Sequence, residues 1–271
     1  MPLPTILLIH GAWHTPDHYA GYITALQEKG FTVHAPHLPS CNPSFQPDGK
    51  ARASLPDDIH AVRESATSLS EKGEKVLMIM HSYGGVVGTD AVEGLGYHCS
   101  TPDTPKTEDR ATGGVIHLLY PCAYILAPRI AVWDIVRAAG FDKLWDEHIA
   151  TDARDMIFPR NPAAICIEDA LGKLVPFPMS ALTTPISSGK KIWEEVPVTY
   201  VSTKRDYAVP GVYQDIMLAN VKEAGVDVKI VEVDGCHSVF VEKTMDMVDV
   251  AVGAAGDERN LSLGYDVSDR S

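Results

Sequence analysis

The stretch Val76-Leu77-Met78-Ile79-Met80-His81-Ser82-Tyr83-Gly84-Gly85 decides the fold. Its first half is a short run of apolar residues, which is typical of a β-strand buried on both faces. Its second half places a serine in a tight turn before the helical pattern Val86–Leu95. A serine at such a strand-to-helix turn is lifted above the sheet and faces a helix N-terminus. The stretch therefore predicts an α/β protein in which Ser82 is a nucleophile.

The motif around Ser82 departs from its usual form, which is written G-x-S-x-G. Met80 takes the place of the first glycine, while Gly84 fills the second position and Gly85 follows it. We expect Met80 to require a roomier neighbouring helix or a slightly shifted strand. Because short motifs also occur by chance, the motif alone leaves open a serine in an ordinary strand–helix turn.

Apolar, β-branched runs alternate with helical patterns along the chain. Near-continuous apolar strands separated by helices predict a doubly wound, mostly parallel six-stranded sheet with helices on both faces. The predicted strands are Thr5–His10, Thr32–Ala35, Val76–His81, Val115–Leu119, Val198–Ser202 and Val226–Val233, and the predicted helices are Asp17–Lys29, Pro56–Lys72, Gly85–Leu95, Gly211–Ala224 and Phe240–Ala251.

The interval between Leu119 and Val198 holds no convincing strand and is too long for a simple connection in a compact domain. We interpret it as a helical cap inserted into the sheet domain. A decorated helix pair with no role in binding is the alternative. The predicted organisation is a core of residues 1–122 and 193–258, a cap of residues 123–192, and a flexible polar tail of residues 259–271.

The general acid–base residues are expected at the ends of later strands. Where a serine sits at such a turn, the carboxylate and the histidine follow it in the order Ser, Asp/Glu, His. His237 lies just after the last predicted strand, and Asp206 follows the preceding one. Asp234 and Glu232 are rivals, but they precede His237 too closely on one strand to face its ring. We predict a Ser82–His237–Asp206 triad.

The first predicted strand ends in His10-Gly11-Ala12-Trp13. A loop at this place supplies one backbone N–H to an oxyanion hole, and the residue after the nucleophile supplies the other. We therefore predict that Ala12 and Tyr83 donate these N–H groups. We interpret His10 as a packing residue that supports the loop.

The remaining histidines near the motifs have weaker assignments. His81 is adjacent to Ser82, but on a strand its side chain points to the opposite face, so we do not assign it as the base. His14 and His18 have the i, i+4 spacing of metal ligands, but no third ligand is evident, and we predict no metal site. His117 is interpreted as a core residue of its strand.

Aromatic residues of the first loop and of the presumed cap predict a hydrophobic small-molecule substrate. The expected substrate contacts are Trp13, His14, Tyr124, Trp133 and Trp145.

Charge and cysteine content exclude several partner classes. The formal net charge of −13 disfavours nucleic acid, and no apolar run is long enough for a membrane span. The five cysteines show no paired spacing, and the N-terminus does not resemble a signal peptide, so we expect a cytoplasmic protein. A homodimer is possible, but no feature of the sequence indicates the oligomeric state.

These motifs together resemble the α/β-hydrolase superfamily, in particular the branch of cofactor-free plant methylesterases and hydroxynitrile lyases with their fungal and bacterial relatives. The resemblance implies the same triad, the same oxyanion hole, an inserted lid and no cofactor. It is weakest in Tyr97–Thr112 and in the presumed cap. The matching stretches are Ile6–Trp13, His81–Gly85, Pro197–Val201 with Asp206 and Pro210, and His237–Phe240.

Two departures from that branch bear on the chemistry. The lyases have a lysine directly after the catalytic histidine and a threonine beside the oxyanion loop, where this chain has Ser238 and Gly11. Both differences argue against cyanohydrin cleavage. We predict a serine hydrolase that cleaves an ester, lactone or thioester. A lyase, decarboxylase or C–C bond hydrolase using the same triad, or a non-catalytic small-molecule receptor, remain the alternatives.

Overall fold

The computed structural model describes residues 2–42, 53–97, 113–141, 167–187 and 190–256. Its strands are β1 (Thr5–Ile9), β2 (Val33–His34), β3 (Lys75–Met80), β4 (Gly114–Pro121), β5 (Val198–Thr203) and β6 (Val228–Val233). They form one sheet in the order β2-β1-β3-β4-β5-β6, and each neighbouring pair is parallel. The predicted fold class, a six-stranded parallel sheet between helices, is confirmed.

The helices follow the strands in the order that the sequence predicts. They are α1 (Ala20–Glu28, preceded by a 3-10 turn at Pro16–Tyr19), α2 (Leu55–Glu71), α3 (Gly84–Ala91), α4 (Val132–Ala138), α5 (Ile167–Gly172), α6 (Ser180–Thr183), α7 (Lys190–Glu195), α8 (Gly211–Glu223), α9 (Val239–Glu242) and α10 (Thr244–Ala254), with a second 3-10 turn at Pro39–Cys41.

Several predicted boundaries differ from the observed ones, and two of the differences have a clear cause. The predicted helix Phe240–Ala251 is divided into α9 and α10, because Lys243 leaves the helical region with φ −127° and ψ 44°. The last strand begins at Val228 rather than Val226, because the backbone N–H of Val226 donates to Val221 and closes the end of α8. Gly225, at φ 84°, provides the left-handed residue that this helix end requires.

Both faces of the sheet are buried. On one face, α2, α3, α4, α7 and α8 enclose what we call the larger core, to which β1 contributes Leu7 and Ile9. On the other face, α1, α9 and α10 enclose the smaller core, to which β1 contributes Ile6 and Leu8. Because adjacent side chains of a strand point to opposite faces, a strand that supplies both cores must be apolar throughout.

The turn between β3 and α3 is packed against backbone on two sides. A Cβ atom on Gly84 would lie 2.4 Å from the carbonyl oxygen of Ile9, and one on Gly85 would lie 2.4 Å from that of Tyr124. The two glycines thus allow α3 to start close above β1 and the end of β4. Met80 fits in place of the usual glycine because Gly88, one turn into α3, leaves room for its sulfur.

Between β4 and β5, the described residues form the short helices α4 to α7. The predicted cap falls within this interval, and its role as a cap remains a prediction. Most of the predicted Tyr97–Thr112 loop and the predicted tail of residues 259–271 lie outside the described residues. In the part of the chain that is described, no helix has the length and hydrophobicity needed to cross a membrane.

Candidate active site

The structure brings Ser82, His237 and Asp206 together at the carboxyl edge of the sheet. His237 Nε2 lies 3.0 Å from Ser82 Oγ, and His237 Nδ1 lies 2.9 Å from Asp206 Oδ2. The three residues follow β3, β6 and β5, respectively. All three are buried, and Ser82 is only 8% exposed. This arrangement places a hydroxyl, an imidazole and a carboxylate in one continuous series of hydrogen bonds.

Asp206 is held by donors other than His237. Thr203 Oγ1 donates to its Oδ2 at 3.0 Å, and the backbone N–H groups of Ala208 and Val209 donate to its Oδ1 at 2.9 and 2.7 Å. Gln214 on α8 supports this loop, because its side-chain amide bonds the backbone of both Thr203 and Val209. Hydrogen bonds from several donors fix the direction of the carboxylate.

Ser82 occupies a left-handed backbone conformation, with φ 54°. Residues other than glycine rarely adopt this region, and such strain is found mainly at functional sites. The turn directs the hydroxyl above the sheet edge and starts α3 directly behind it. The elbow that the sequence predicts around Ser82 is therefore present in the backbone.

The loop after β1 lies directly against the serine. A Cβ atom on Gly11 would lie 3.0 Å from both Ser82 Cβ and His81 Nδ1, so any larger residue here would press against both side chains. His10 supports the loop, with its Nδ1 2.9 Å from the Gly11 carbonyl and its Nε2 accepting the N–H of Leu38 at 3.0 Å. Burial lowers the pKa of His10 to about 4, so the ring that supports the loop is uncharged at neutral pH.

Ala12 and Tyr83 follow Gly11 and Ser82, respectively, as the oxyanion-hole prediction requires. Within the described residues, no hydrogen bond is found from the backbone N–H of either residue. Trp13, the next residue of the loop, adopts a left-handed conformation at φ 61°. Two backbone N–H groups are the donors that a tetrahedral oxyanion needs, and the assignment of Ala12 and Tyr83 to this role remains a prediction.

His81, which the sequence analysis did not assign as the base, contacts the base His237 in the structure. Strand β3 ends at Met80, so His81 belongs to the turn rather than to the alternating pattern of the strand. Its buried ring lies 4.6 Å from the His237 ring, centroid to centroid. His81 Nε2 is 2.9 Å from the carbonyl oxygen of His237, which also accepts the thiol of Cys122 at 3.2 Å.

Phe177 is an aromatic contact of the site that the sequence analysis did not single out as a site residue. Its ring centroid lies 5.2 Å from that of Trp13 and 4.9 Å from that of Tyr83. The N–H of nearby Val175 donates to the Trp13 carbonyl at 3.0 Å, and His18 Nε2 lies 3.1 Å from the Ala170 carbonyl. The chain between β4 and β5 is thus attached to the loop beside the serine.

The predicted substrate contacts occupy different surroundings. Tyr124 is buried, and its N–H donates to the Ser82 carbonyl at 3.0 Å, while Trp133 on α4 is half-buried. His14 is buried beside the rings of His18, Tyr19, His81 and Phe240. Trp145 lies outside the described residues. Substrate contact by these side chains remains a prediction.

The two rival carboxylates, Asp234 and Glu232, form ion pairs with basic side chains and not with His237. Asp234 Oδ1 accepts Arg205 Nε at 2.8 Å, and Glu232 pairs with Lys204 at 3.0 Å. Arg205 also reaches Glu242 at 2.6 Å, which ties the Asp206 loop to the end of α9. The ion pairs of Arg205 thus connect the loop that carries Asp206 with the residues on either side of His237.

Asp58, on α2, is a buried carboxylate behind the serine turn. Ser40 donates to it through Oγ at 2.6 Å and through its N–H at 2.9 Å, and the Tyr83 hydroxyl donates at 2.8 Å. Burial raises the pKa of Asp58 to about 6. This carboxylate fixes the ring of Tyr83, whose backbone N–H is the predicted oxyanion donor.

One group of potential metal ligands is found among the described residues. Ligand atoms of His81, Cys122 and His237 all lie within 4.8 Å of one another. Both His81 nitrogens are already within hydrogen-bonding distance of protein oxygens, and burial raises the pKa of the Cys122 thiol well above its ordinary value. The group is therefore a hydrogen-bonded part of the triad's support rather than a set of open ligands.

Comparison with known proteins agrees with this geometry. A sequence model described as the alpha/beta hydrolase family matches residues 6–250. The chain belongs to the alpha/beta hydrolase family. The superfamily that the sequence resembles is confirmed, and so is the predicted enzyme class, a hydrolase.

Individual relatives span nearly the whole chain. The alpha/beta hydrolase nvfD of Aspergillus novofumigatus is 27% identical over 265 residues, which cover 94% of this chain and 97% of that protein. The solved pyrethroid hydrolase of Sphingobium faniae JZ-2 has a TM-score of 0.68 at 18% identity, covering 94% and 98%. An Arabidopsis methylesterase has a TM-score of 0.63 at 17% identity, covering 93% and 99%. The plant methylesterase branch thus shares this hydrolase's fold.

Proposed function

We propose that this hydrolase is a serine hydrolase that cleaves an ester, lactone or thioester of a hydrophobic small molecule. The observation behind the proposal is the hydrogen-bonded series from Ser82 Oγ through His237 to Asp206, at 3.0 and 2.9 Å. Membership of the hydrolase family supports it independently.

In the proposed reaction, Ser82 Oγ attacks the substrate carbonyl carbon while its proton passes to His237 Nε2. Asp206 accepts the N–H of Nδ1 and so keeps Nε2 available as the base. The N–H groups of Ala12 and Tyr83 stabilise the oxyanion, and His237 then returns the proton to the departing alcohol or thiol. Water, activated by His237, releases the acid and restores Ser82.

The hydrophobic substrate class is supported by the rings of Trp13, Tyr83 and Phe177, which pack together next to the serine turn. We place the substrate against this aromatic cluster and under the proposed cap. A pyrethroid hydrolase and a methylesterase share the fold, which supports a search among esters with bulky apolar groups.

Replacement of the nucleophile tests the proposal. We expect Ser82→Ala to lower the turnover of p-nitrophenyl esters by more than about a thousandfold, because the nucleophile itself is removed. Labelling by a fluorophosphonate probe should disappear in the same variant. Ser65→Ala, which removes a hydroxyl that donates to the Ala61 carbonyl within α2, should retain both ester turnover and probe labelling. If Ser82→Ala is labelled and turns over esters as well as the wild type, the proposal is wrong.

A trapped intermediate distinguishes hydrolysis from lyase chemistry on the same triad. Rapid acid quench of a slow ester, followed by mass spectrometry, should show an acyl group on the peptide that contains Ser82. Turnover of a 1,3-dicarbonyl substrate that never yields such an adduct would favour the lyase or decarboxylase alternative.

A further inference from the structure

A second hydrogen-bond series connects the loop beside the serine to the backbone of the base. The N–H of Gly11 donates to Tyr19 Oη at 3.0 Å, Tyr19 Oη lies 2.7 Å from His81 Nδ1, and His81 Nε2 lies 2.9 Å from the His237 carbonyl oxygen. All four residues are buried. The series runs behind the triad and is separate from it.

The direction of each proton in this series follows from its two ends. The His237 carbonyl only accepts, so the proton of His81 must lie on Nε2. Burial lowers the pKa of His81 well below its ordinary value, so the ring is neutral and its Nδ1 is an acceptor. Tyr19 therefore donates its hydroxyl proton to Nδ1 and accepts the N–H of Gly11. Every donor is matched by one acceptor.

Aromatic packing holds these groups in place. The Tyr19 ring stacks on Phe240 with centroids 4.1 Å apart, and the His81 ring meets Phe240 edge-on at 4.9 Å. Phe240 belongs to α9, which starts two residues after His237. Tyr19 and His81 are thus in contact with the element that presents the base and with the loop that presents Ala12.

We propose that Tyr19 and His81 are positioning residues, which set the distance between the oxyanion loop at Gly11–Ala12 and the base His237. The inference rests on the proposed function, in which the Gly11–Ala12 loop supplies an oxyanion donor and His237 is the base. Neither residue exchanges a proton with substrate. An error of about 1 Å in the placement of catalytic groups can lower a rate by about a hundredfold, so two hydrogen bonds behind the site affect turnover directly.

Removal of the Tyr19 hydroxyl is the most direct test, and Tyr22 offers a matched control. Both are fully buried tyrosines, and the Tyr22 hydroxyl donates to the Met247 carbonyl at 3.2 Å, away from the triad. We expect Tyr19→Phe to lower kcat for a p-nitrophenyl ester roughly 10- to 100-fold while KM stays within about twofold. Tyr22→Phe should keep the wild-type kcat while its Tm falls by a similar amount.

Two substitutions of His81 provide the second measurement. His81→Gln keeps one donor and one acceptor, whereas His81→Leu keeps neither at similar bulk. We expect kcat to decrease in the order wild type, His81→Gln, His81→Leu, with a smaller effect on KM. A purely structural role would instead lower the amount of folded enzyme and leave kcat per active site, titrated with the fluorophosphonate, unchanged in all variants.

The outcomes separate this inference from the function on which it rests. If Ser82→Ala is inactive while Tyr19→Phe and His81→Leu match the wild-type kcat per titrated site, only the positioning role is overturned. If Ser82→Ala remains fully active, the serine hydrolase proposal is wrong, and the positioning inference that rests on it is wrong as well. Should Tyr19→Phe not fold, the order of the two His81 variants decides the inference.

Discussion

Ser82 and Trp13 both adopt the left-handed backbone region, at φ 54° and 61°. Each such residue costs about 1–3 kcal/mol and persists only where the surrounding structure enforces it. At Ser82 the enforcement comes from Gly84 and Gly85, whose close backbone contacts leave α3 no other starting point. At Trp13, the backbone carbonyl is held by the N–H of Val175. The two strained residues lie on the two turns that the proposed function places beside the reacting carbonyl.

Asp58 makes the stability of this region dependent on pH. Burial raises its pKa to about 6 from an ordinary value of 3.8, so folding opposes its ionisation and native stability falls as the pH rises through this range. The hydroxyl of Tyr83 donates to the carboxylate and offsets part of this cost. We expect Tyr83→Phe to cost about 1.5–3 kcal/mol at pH 8 and less at pH 5, where Asp58 is protonated. Urea unfolding at both pH values measures the difference.

Tyr120→Phe is the control for this pH effect. The Tyr120 hydroxyl lies 2.7 Å from Thr89 Oγ1 and accepts Trp193 Nε1 at 3.0 Å, and both partners are uncharged. Tyr120→Phe should lower the free energy of unfolding by the same amount at pH 5 and pH 8. An equal cost of Tyr83→Phe at the two pH values would show that the Asp58 carboxylate does not ionise within this range.

Among the elements, α3 is closely packed against backbone at its start. A Cβ atom on Gly84 would lie 2.4 Å from the Ile9 carbonyl oxygen and 2.9 Å from that of His10, and neither backbone atom can move without disturbing β1. We expect Gly84→Ala to lower the free energy of unfolding by about 3 kcal/mol, since overpacking forces backbone shifts. Ester turnover should fall as well, because the same shift displaces Ser82.

Gly21→Ala provides the opposite case on α1. No atom lies within 4 Å of a Cβ atom placed there, so alanine should stabilise the helix by up to about 1 kcal/mol through its higher helix propensity. Chemical denaturation of the two variants side by side gives the comparison. Equal stability of Gly84→Ala and the wild type would mean that the turn is looser than its contacts indicate.

The elements and the meeting of Ser82, His237 and Asp206 were predictable because each depends on local pattern and chain order. Strands β1 and β3 are short apolar runs, and Ser82, Asp206 and His237 each follow a strand that the sequence marks clearly. The contact between His81 and His237 was not predictable from the alternation of side chains along a strand, because β3 ends one residue earlier than expected. Phe177 gave no local indication of its place, since its ring partners lie far away in the chain.

Asp58 did leave an indication in the sequence. On α2, it lies between the buried residues Leu55 and Val62 at spacings of three and four, which place it on the apolar face of the helix. A carboxylate in that position needs buried donors. The pattern alone could not name Ser40 and Tyr83 as those donors, because three separate parts of the chain meet there.

At the scale of the whole molecule, the two cores are coupled through shared strands. Leu7 contributes to the larger core and Leu8 to the smaller one, one residue apart on β1. We expect Leu7→Ala and Leu8→Ala each to cost about 2–5 kcal/mol and to shift one common unfolding transition. Far-ultraviolet circular dichroism and tryptophan fluorescence should give coincident curves for both variants. Separate transitions in the two signals would show that the cores unfold independently.

The attachment of Phe177 to Trp13 and Tyr83 has an evolutionary consequence. Ser82, His237 and Asp206 are presented by β3, β6 and β5, whereas Phe177 comes from the chain between β4 and β5. Mutations in that one interval can therefore accumulate without touching the hydrogen bonds of the triad. In a gene duplicate of this enzyme, drift within a single stretch of coding sequence can alter the aromatic surroundings of the serine turn, while the hydrogen bonds between Ser82, His237 and Asp206 stay intact.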